Sequence, residues 1–204
     1  MNKADYFCER DPLAFPIWQQ ARVGIAGAGG LGSNAAILLA RAGIGHLTIA
    51  DFDRVSVSNL NRQAFNLDQI GMLKTEALTH NIRKINPYIS LSEHPVKLLR
   101  DNIPEIFSEV DIMIEAFDKA EQKQMLIETW LLAFPDIPMI CASGLAGYGR
   151  SEDIRISQSN YLYIVGDQVS ELKAGISPIA PRVMIVAAMQ ANLCLELLVK
   201  RYQG

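Results

Sequence analysis

The chain has 204 residues, 50% of them hydrophobic, which is enough to bury one substantial core. A net charge of -3 gives no global basic field, and no apolar stretch approaches the roughly 20 uninterrupted residues of a membrane span, so neither nucleic acid nor a membrane is an expected partner. The first residues lack the apolar segment of a secretory signal, and the three cysteines lie far apart without a CxxC pair. These features predict a cytoplasmic protein without a disulfide framework or a zinc site.

The predicted elements alternate between strands and helices. Residues 1–20 form an N-terminal lead-in, followed by a strand at 22–26, a helix at 32–42 and a strand at 46–50. A long polar connection over 52–71 leads to an amphipathic helix at 74–85, which ends before Asn86-Pro87. The remaining expected elements are a strand at 89–95, a short helix at 102–107, a strand at 110–116, a helix at 119–133, a strand at 139–142, loops and short strands over 143–180, and a closing helix at 181–202 within the terminal segment 181–204.

The strand–helix–strand at 22–50 is a βαβ unit, which requires parallel strands and a right-handed crossover. The same alternation continues along the chain, with no internal repeat and no low-complexity linker. We therefore expect one α/β domain over residues 1–204, with a Rossmann-like, doubly wound, mostly parallel sheet and helices on both faces.

The segment GIAGAGGLGSN, at residues 24–34, has the spacing Gly27-x-Gly29-x-x-Gly32 between the first strand and its helix. Such a loop brings backbone N–H groups onto a phosphate, and Asp51, 19 residues after Gly32 at the end of the second strand, is placed to accept hydrogen bonds from a ribose. The simpler alternative is a tight turn followed by an ordinary strand-end acid. The context favours nucleotide binding by Gly27, Gly29, Gly30, Leu31, Gly32 and Asp51.

The following segment, DFDRVSVSNLNRQ at 51–63, indicates which nucleotide. Asn59, Arg62 and Lys74 add an amide and two cations soon after the ribose acid. A pyrophosphate can be held by glycine N–H groups and a helix N-terminus alone, whereas a triphosphate needs its charge neutralised when a phosphoanhydride breaks. The alternative, in which Arg62 and Lys74 are solvated surface cations, is the usual state of such residues.

Asp118 lies just beyond the strand at 110–116, where ligands bind in open sheets. A carboxylate there suits Mg²⁺, and it equally suits the cap of the helix at 119–133; Glu115 and Asp53 are alternative contacts to Mg²⁺ or to a ribose. No nucleophile–base motif is present in the sequence. Attack by an ionised carboxylate on an α-phosphate needs none, because it depends on positioning and charge stabilisation.

These motifs make the chain resemble the ThiF/MoeB-like family of the ubiquitin-activating superfamily. GAGGLGSN, SNLNRQ, Lys74 leading a helix that ends in INP, and CASGLAGYG at 141–149 carry the resemblance. It implies an ATP- and Mg²⁺-dependent adenylyltransferase that joins the Gly-Gly carboxylate of a ThiS-like sulfur carrier protein to AMP, for thiocarboxylate formation in thiamine biosynthesis.

The resemblance also implies roles for individual residues. Asp51 would contact the ribose of ATP, and Gly27 to Gly32 would lie under the phosphates. Asn59, Arg62 and Lys74 would contact the triphosphate and Asp118 the Mg²⁺, with Asp53 as a further nucleotide contact. Family members are commonly homodimers in which an N-terminal arginine reaches the partner's ATP, and Arg10 is the candidate here. Arg10, Arg62, Lys74 and Asp118 are thus the expected catalytic residues. Residues 143–180 contain no cysteine, so a covalent enzyme–carrier step is not expected.

Three other functions remain open from the sequence. A Rossmann oxidoreductase that binds NAD would explain the glycine loop and Asp51, but it would leave Arg62 and Lys74 without a role. A non-catalytic carrier-binding module would keep the fold without turnover. Within the family, the substrate could instead be a molybdopterin carrier, a peptide or a tRNA-linked carboxylate, the last being disfavoured by the absence of a basic patch.

Overall fold

The computed structural model of the protein describes residues 2–170 and 177–203. Within these ranges the strands form a seven-stranded sheet. They are β1 (Arg22–Ala26), β2 (His46–Ala50), β3 (Ser90–His94), β4 (Ile112–Glu115), β5 (Met139–Ala142), β6 (Arg155–Ser159) and β7 (Leu162–Gly166). The helices are α1 (Lys3–Phe7), α2 (Phe15–Gln20), α3 (Gly30–Ala42), α4 (Lys74–Ile85), α5 (Ile103–Ile106), α6 (Ala120–Ala133) and α7 (Ala180–Gln203).

The strand order is β3-β2-β1-β4-β5-β7-β6, with every neighbouring pair parallel except β7 and β6. β1 lies between β2 and β4, so that Gly24 faces Thr48 on one side and Met113 on the other. The chain therefore winds outward in both directions from β1 and β4. This arrangement leaves a crevice beyond the carboxyl ends of these two strands, the usual ligand position in open α/β sheets.

The sheet is covered on both faces. Buried residues of α3, α4 and α7 form one core with the sheet, and residues of α5 and α6 form a second core on the opposite face, centred on the fully buried Phe107 and Trp130. The predicted doubly wound, mostly parallel α/β fold is thereby confirmed. The strands of the 143–180 segment are β6 and β7, and residues 171–176 of that segment lie outside the described ranges.

Helix α3 is built from small residues because α7 packs directly on it. Ala35, Ala36 and Ala40 are fully buried, as is Ala187 on α7, so the two backbones approach closely. The helix begins at Gly30, two residues earlier than predicted, because Gly29 is extended and acts as its cap. The N–H groups of Gly30 and Leu31 therefore belong to the first turn and are free of helical partners.

Helix α7 is long and apolar enough over Ala180–Tyr202 to cross a membrane by length and composition alone. Half of its most apolar window is buried inside the protein, against α3 and the sheet. The core helix of a soluble protein has the same properties, so this helix is weak evidence for a membrane segment.

The N-terminal lead-in packs near the C-terminal ends of α3 and α4. Tyr6 and Phe7 stack against Phe15 and Tyr88, and the Tyr6 hydroxyl donates to the Ile85 carbonyl at the end of α4. This cluster holds the segment that contains Arg10 on the side of the molecule where α3 ends.

Candidate nucleotide-binding site

A cavity of about 760 Å³ lies beyond the carboxyl ends of β1, β2, β4 and β5. Its size is in the range typical of small-molecule and cofactor sites. The predicted residues that line it are Gly27, Gly29, Gly30, Leu31, Asp51, Asp53, Arg62, Lys74 and Asp118. The structure therefore brings together, in one cavity, residues that the sequence separates by up to 91 positions.

The glycine loop is a steric requirement of the turn from β1 into α3. Gly27 has φ of 98°, which favours glycine, and a Cβ on Gly32 would lie 1.9 Å from the Gly27 carbonyl oxygen. The Ala28 N–H donates to Asp51 Oδ2 at 2.7 Å, so the end of β2 holds the loop in place. The loop thus presents the open N-terminus of α3 to the cavity, where an anion is stabilised.

Asp51, Asp53 and Lys74 form a charge cluster beside this loop. Lys74 is buried at the start of α4, with Nζ 2.7 Å from Asp53 Oδ2 and 3.9 Å from Asp51 Oδ2. Asp51 also accepts the Asp53 N–H at 2.8 Å. A carboxylate has about four acceptor sites, so Asp51 retains capacity for ribose hydroxyls while it orders the loop.

Arg62 is held over the first turn of α3 by two side chains of that helix. Asn34 Nδ2 donates to the Gly30 carbonyl at 2.6 Å and to the Arg62 carbonyl at 2.9 Å. Ser33 Oγ donates to the Gly29 carbonyl and accepts the Ala64 N–H at 3.0 Å. The two motifs GSN and NRQ are therefore tied to each other, which places the Arg62 side chain 3.4 Å from the position of a Cβ on Gly30.

Asn59 is not among the cavity-lining residues. It ends a 3₁₀ turn at Val57–Asn59, where its Oδ1 accepts the Ser56 N–H at 3.0 Å in a capping box. Its contact with a triphosphate stays a prediction. Its backbone carbonyl accepts the Arg62 N–H at 3.1 Å, so Asn59 helps to shape the connection that leads to Arg62.

Asp118 is exposed to the cavity in the turn between β4 and α6. The residue at the cap of α6 is Lys119, whose side chain makes no cap hydrogen bond, so the alternative of a capping Asp118 is not realised. A contact of Asp118 with Mg²⁺ stays a prediction. No group of three or more His, Cys, Asp and Glu side chains gathers in the described ranges, so a Mg²⁺ ion here would complete its shell with phosphate and water oxygens.

Glu115, considered as an alternative ligand, is instead fully buried and paired with Lys123. Lys123 Nζ donates to both Glu115 carboxylate oxygens, at 2.8 and 2.7 Å, and to the Ala142 carbonyl at 3.1 Å. Burial raises the pKa of Glu115, and the charge and hydrogen bonds of Lys123 oppose that rise. The pair joins the ends of β4 and β5 at the wall of the cavity, which Lys123 lines, and the Phe117 N–H donates to Glu115 as well.

Arg10 lies far from the cavity of its own chain. Its Nη2 donates to the Arg41 carbonyl at 3.1 Å near the end of α3, and its guanidinium stacks on Tyr6 and Phe7. The 13 residues of α3 place this contact roughly 20 Å from the glycine loop. A role of Arg10 in a partner's site stays a prediction.

A second buried ion pair closes the opposite side of the cavity. Arg182 Nη2 lies 2.6 Å from Asp167 Oδ2, and Nη1 donates to the Gly149 carbonyl. Burial raises the pKa of Asp167, but hydrogen bonds from Ser170 and Val169 and the charge of Arg182 outweigh it and lower that pKa to about 2. The pair fixes the start of α7 to the loops after β5 and β7, from which Ser170 lines the cavity.

Sequence reasoning missed several cavity residues, because they come from loops whose partners are distant in the chain. Leu98 and Phe117 form an apolar wall with Val96 on the α5–α6 face. The other unpredicted polar and charged residues are Gln63, Lys97, Lys119, Gln122, Lys123, Ser143 and Ser170. Two of them had a sequence signal: Gln63 lies directly after Arg62 in the NRQ motif, and Ser143 lies in the CASGLAGYG segment.

The fold and the cavity define the class of protein, a Rossmann-like domain in which a glycine loop, a strand-end acid and two cations converge at the switch point of the sheet. The ThiF family model matches residues 16–203, so the chain belongs to the ThiF family. The family expected from the sequence motifs is thereby confirmed.

The curated relatives are longer proteins. The adenylyltransferase and sulfurtransferase uba4 of Aspergillus terreus is 36% identical over 133 residues, which are 65% of this chain and 27% of the relative. The adenylyltransferase and sulfurtransferase MOCS3 of Caenorhabditis briggsae is 36% identical over 127 residues, 62% of this chain and 31% of the relative. The chain thus spans between a quarter and a third of the length of these relatives.

Solved structures share the fold. E. coli tRNA N6-threonylcarbamoyladenosine dehydratase, TcdA, in complex with AMP superposes with a TM-score of 0.87 at 22% identity, over 98% of this chain and 95% of that one. The same enzyme has also been solved with ATP. E. coli MccB with MccA-N7isoASN gives a TM-score of 0.68 at 25% identity, over 92% of this chain and 59% of that one.

Two substitutions in the glycine loop separate its folding role from its binding role. Gly32→Ala places a Cβ 1.9 Å from backbone, so we expect a lower Tm together with weaker ATP binding. Gly29→Ala meets only the Gln63 amide at 4.0 Å and has a negative φ, so its Tm should stay unchanged while its Cβ projects into the phosphate site. Thermal unfolding and ATP titration calorimetry distinguish the two, and equal Tm values for both variants would contradict this account.

Removing Lys123 should destabilise the protein in a pH-dependent way. Lys123→Met leaves Glu115 buried without its partner, which we expect to lower the free energy of unfolding by about 3–5 kcal/mol at pH 7. A buried acid with a raised folded-state pKa is protonated in both states below its unfolded-state pKa, so its burial then lowers the free energy of unfolding least. As the pH rises through the folded-state pKa, that stability is lost. The destabilisation should therefore shrink at acidic pH.

The matched control is the double variant Lys123→Met with Glu115→Gln, which removes the charge together with its partner. It should regain most of the lost stability in urea unfolding at pH 7. If the double variant is no more stable than Lys123→Met, the unpaired carboxylate is not the cause of the loss.

Proposed function

We propose that this ThiF-family protein is an ATP-dependent adenylyltransferase, which activates the C-terminal carboxylate of a carrier protein or peptide as an acyl-adenylate. The observation that carries the proposal is the position of Arg62 and Lys74 beside the open N-terminus of α3, in a cavity that also contains the ribose acid Asp51. A dinucleotide oxidoreductase would leave both cations and Asp118 without a role. ATP and AMP complexes of the fold neighbour TcdA support an adenine nucleotide.

In this reaction a carboxylate oxygen of the substrate attacks the α-phosphorus of ATP. The bond from that phosphorus to the bridging oxygen breaks, and pyrophosphate leaves with the electron pair. The attacking carboxylate is already ionised at neutral pH, so no side chain has to remove a proton. The work of the protein is to align the two anions and to offset their charge.

The residues divide this work between them. Asp51 and the glycine loop orient the ribose and the phosphates, while Arg62 and Lys74 stabilise the charge that develops as the phosphoanhydride breaks. Lys74 is now paired with Asp53, which is half exposed, so the phosphates can take over that pairing. Asp118 is the residue to hold Mg²⁺, which as a Lewis acid would polarise the phosphoryl oxygens.

A C-terminal carboxylate on a carrier protein or peptide has more support as the substrate class than any one particular carrier has. The curated relatives are named adenylyltransferases and sulfurtransferases, and MccB has been solved with MccA-N7isoASN. Their names do not point to thiamine biosynthesis. We keep the Gly-Gly tail of a ThiS-like sulfur carrier as the narrower candidate, with a molybdopterin carrier, a peptide and a tRNA-linked carboxylate as its competitors.

A homodimer and a cytoplasmic location are part of the same proposal. A homodimer would give Arg10 a route to a partner's cavity, in place of its contact with the Arg41 carbonyl. Three free cysteines, Cys8, Cys141 and Cys194, are consistent with a cytoplasmic setting.

The function is tested by ATP–pyrophosphate exchange with each substrate class in turn. We expect exchange that requires one carrier, and that disappears when the terminal residue of that carrier is removed. A ThiS-like protein, a molybdopterin carrier protein, a peptide and a modified tRNA form the panel. Nucleotide binding without exchange for any of them, or tight binding of NAD, would refute adenylation as the function.

Two substitutions test the assigned roles, with one control from the same connection. Asp118→Ala should abolish exchange while ATP binding is partly retained, and Arg62→Ala should lower turnover by about 10² because one preorganised charge contact is lost. Arg54→Ala is the control, because Arg54 is exposed, donates to the Gly71 carbonyl and does not line the cavity. Wild-type exchange rates in Asp118→Ala or Arg62→Ala would return these residues to ordinary surface roles.

A further inference from the structure

The ion pair of Lys123 and Glu115 lies at the wall of the cavity but takes no part in the proposed chemistry. Lys123 lines the cavity with its side chain 25% exposed, while the Glu115 side chain has 0% exposure. Apolar side chains of similar volume often stabilise a protein as well as a buried ion pair does, so stability alone does not explain the pair. Its place beside the cavity points to a role in the geometry of the site.

Neither side chain is available to a ligand while the pair is formed. An ammonium group has three N–H donors, and Lys123 Nζ donates to both Glu115 carboxylate oxygens and to the Ala142 carbonyl at 3.1 Å. The Glu115 carboxylate is enclosed, and its Oε1 also accepts the Phe117 N–H at 2.6 Å. The pair therefore acts on the site through the residues that it holds.

The pair holds both ends of the turn that contains Asp118. This turn connects the end of β4 with the start of α6. The Phe117 N–H donates to Glu115, which fixes the backbone directly before Asp118. On the other side of the turn, the Lys123 N–H donates to the Lys119 carbonyl at 3.0 Å in the first turn of α6, and the Lys123 side chain returns to Glu115.

The same turn lies against the glycine loop, which sets its distance from the phosphate site. The Ala116 N–H donates to the Ala26 carbonyl at the end of β1, at 2.9 Å. A Cβ on Gly27 would lie 3.0 Å from the Ala116 carbonyl oxygen and 3.3 Å from the Phe117 ring. Two successive backbone N–H groups are thus held, the first by β1 and the second by the ion pair. Asp118 follows them directly and is exposed to the cavity, so the position of its carboxylate depends on this backbone.

We propose that Glu115 and Lys123 are positioning residues, which act through the Phe117 N–H to place the Asp118 carboxylate where it meets the Mg²⁺ of bound ATP. This assignment rests on the Mg²⁺ role of Asp118 in the proposed adenylation. Glu115 supplies the acceptor that fixes the backbone before Asp118, and Lys123 keeps that acceptor in place. Groups that orient a metal ligand from behind commonly change metal affinity by about 10–100-fold when they are replaced.

Two double variants separate the acceptor from the charge. Lys123→Met with Glu115→Gln removes both charges and keeps a side-chain oxygen for the Phe117 N–H, whereas Lys123→Met with Glu115→Met leaves that N–H without an acceptor. The measurement is the Kd for ATP by calorimetry, once with EDTA and once with saturating Mg²⁺. The Kd with EDTA divided by the Kd with Mg²⁺ reports the coupling between metal and nucleotide, and no carrier is needed.

We expect the double variant with Glu115→Met to lower this ratio about tenfold, towards that of Asp118→Ala, while the one with Glu115→Gln stays within about threefold of the wild type. The Kd for ATP with EDTA should change by less than about twofold in both, because the pair does not line the phosphate site. Arg100→Met with Glu128→Met is the matched control. It removes an exposed ion pair outside the cavity and should keep the wild-type ratio.

A measurement on the wild type needs no substitution. The Phe117 amide should exchange its hydrogen slowly with solvent in NMR, because its acceptor is a fully buried carboxylate. The exchange should be faster in the double variant with Glu115→Met than in the one with Glu115→Gln. Fast exchange in the wild type would overturn the proposal even if neither variant folds.

The other outcomes separate the possible failures. A wild-type coupling ratio in the double variant with Glu115→Met would overturn the positioning role while the Mg²⁺ role of Asp118 stands. Equal losses in the two double variants would assign the effect to the missing charges, which also overturns the proposal. A wild-type ratio in Asp118→Ala would remove the Mg²⁺ role and the positioning role together. Adenylation itself is judged separately, by ATP–pyrophosphate exchange with the panel of carriers.

Discussion

The geometry of the site depends on the hydrogen bonds that join the first turn of α3 to the connection after β2. Ser33 and Asn34 each bond once within α3 and once to residues 62–64. The helix N-terminus and the backbone of Arg62 are therefore held together, while the Arg62 guanidinium donates to the Ser58 carbonyl and to Asn61 Oδ1. In the proposed reaction, this arrangement would keep a positive charge close to the phosphates before the transition state forms.

Charge balance is the second constraint on the site. Lys74 is buried between two carboxylates, and Lys123, which lines the cavity, is held by Glu115, so each of these two cations has a carboxylate partner. The pairings differ in burial: Asp53 is half exposed and can return to water, whereas Glu115 has 0% exposure and cannot. Lys74 can therefore exchange Asp53 for a phosphate as its partner, whereas Lys123 holds the ends of β4 and β5 together.

The sequence predicts the parts of this site that depend on local structure. The glycine loop, Asp51 and Asp118 follow from strand ends, and Lys74 from the start of a helix. The position of Asn59 soon after the ribose acid predicts a contact with the triphosphate, whereas the structure uses its side chain in a capping box with Ser56. The buried state of Glu115 depends on a lysine eight residues later, and the position of Arg62 depends on a hydrogen bond from Asn34 in a different motif. Such contacts are set by tertiary packing, which spacing alone does not reveal.

Under the proposed function, the two faces of the cavity would hold a nucleotide and a polypeptide end at once. On the α5–α6 side, Leu98 and Phe117 offer an apolar wall, and Asp51 stands between that wall and the glycine loop. On the α3–α7 side, Gly144, Leu145, Ala146, Pro178 and Val183 line the cavity close to Arg62. Under the proposed function, these five uncharged residues would suit a neutral extended chain. The carboxylate at the end of that chain would then meet the phosphates beside Arg62, the point where the two faces join.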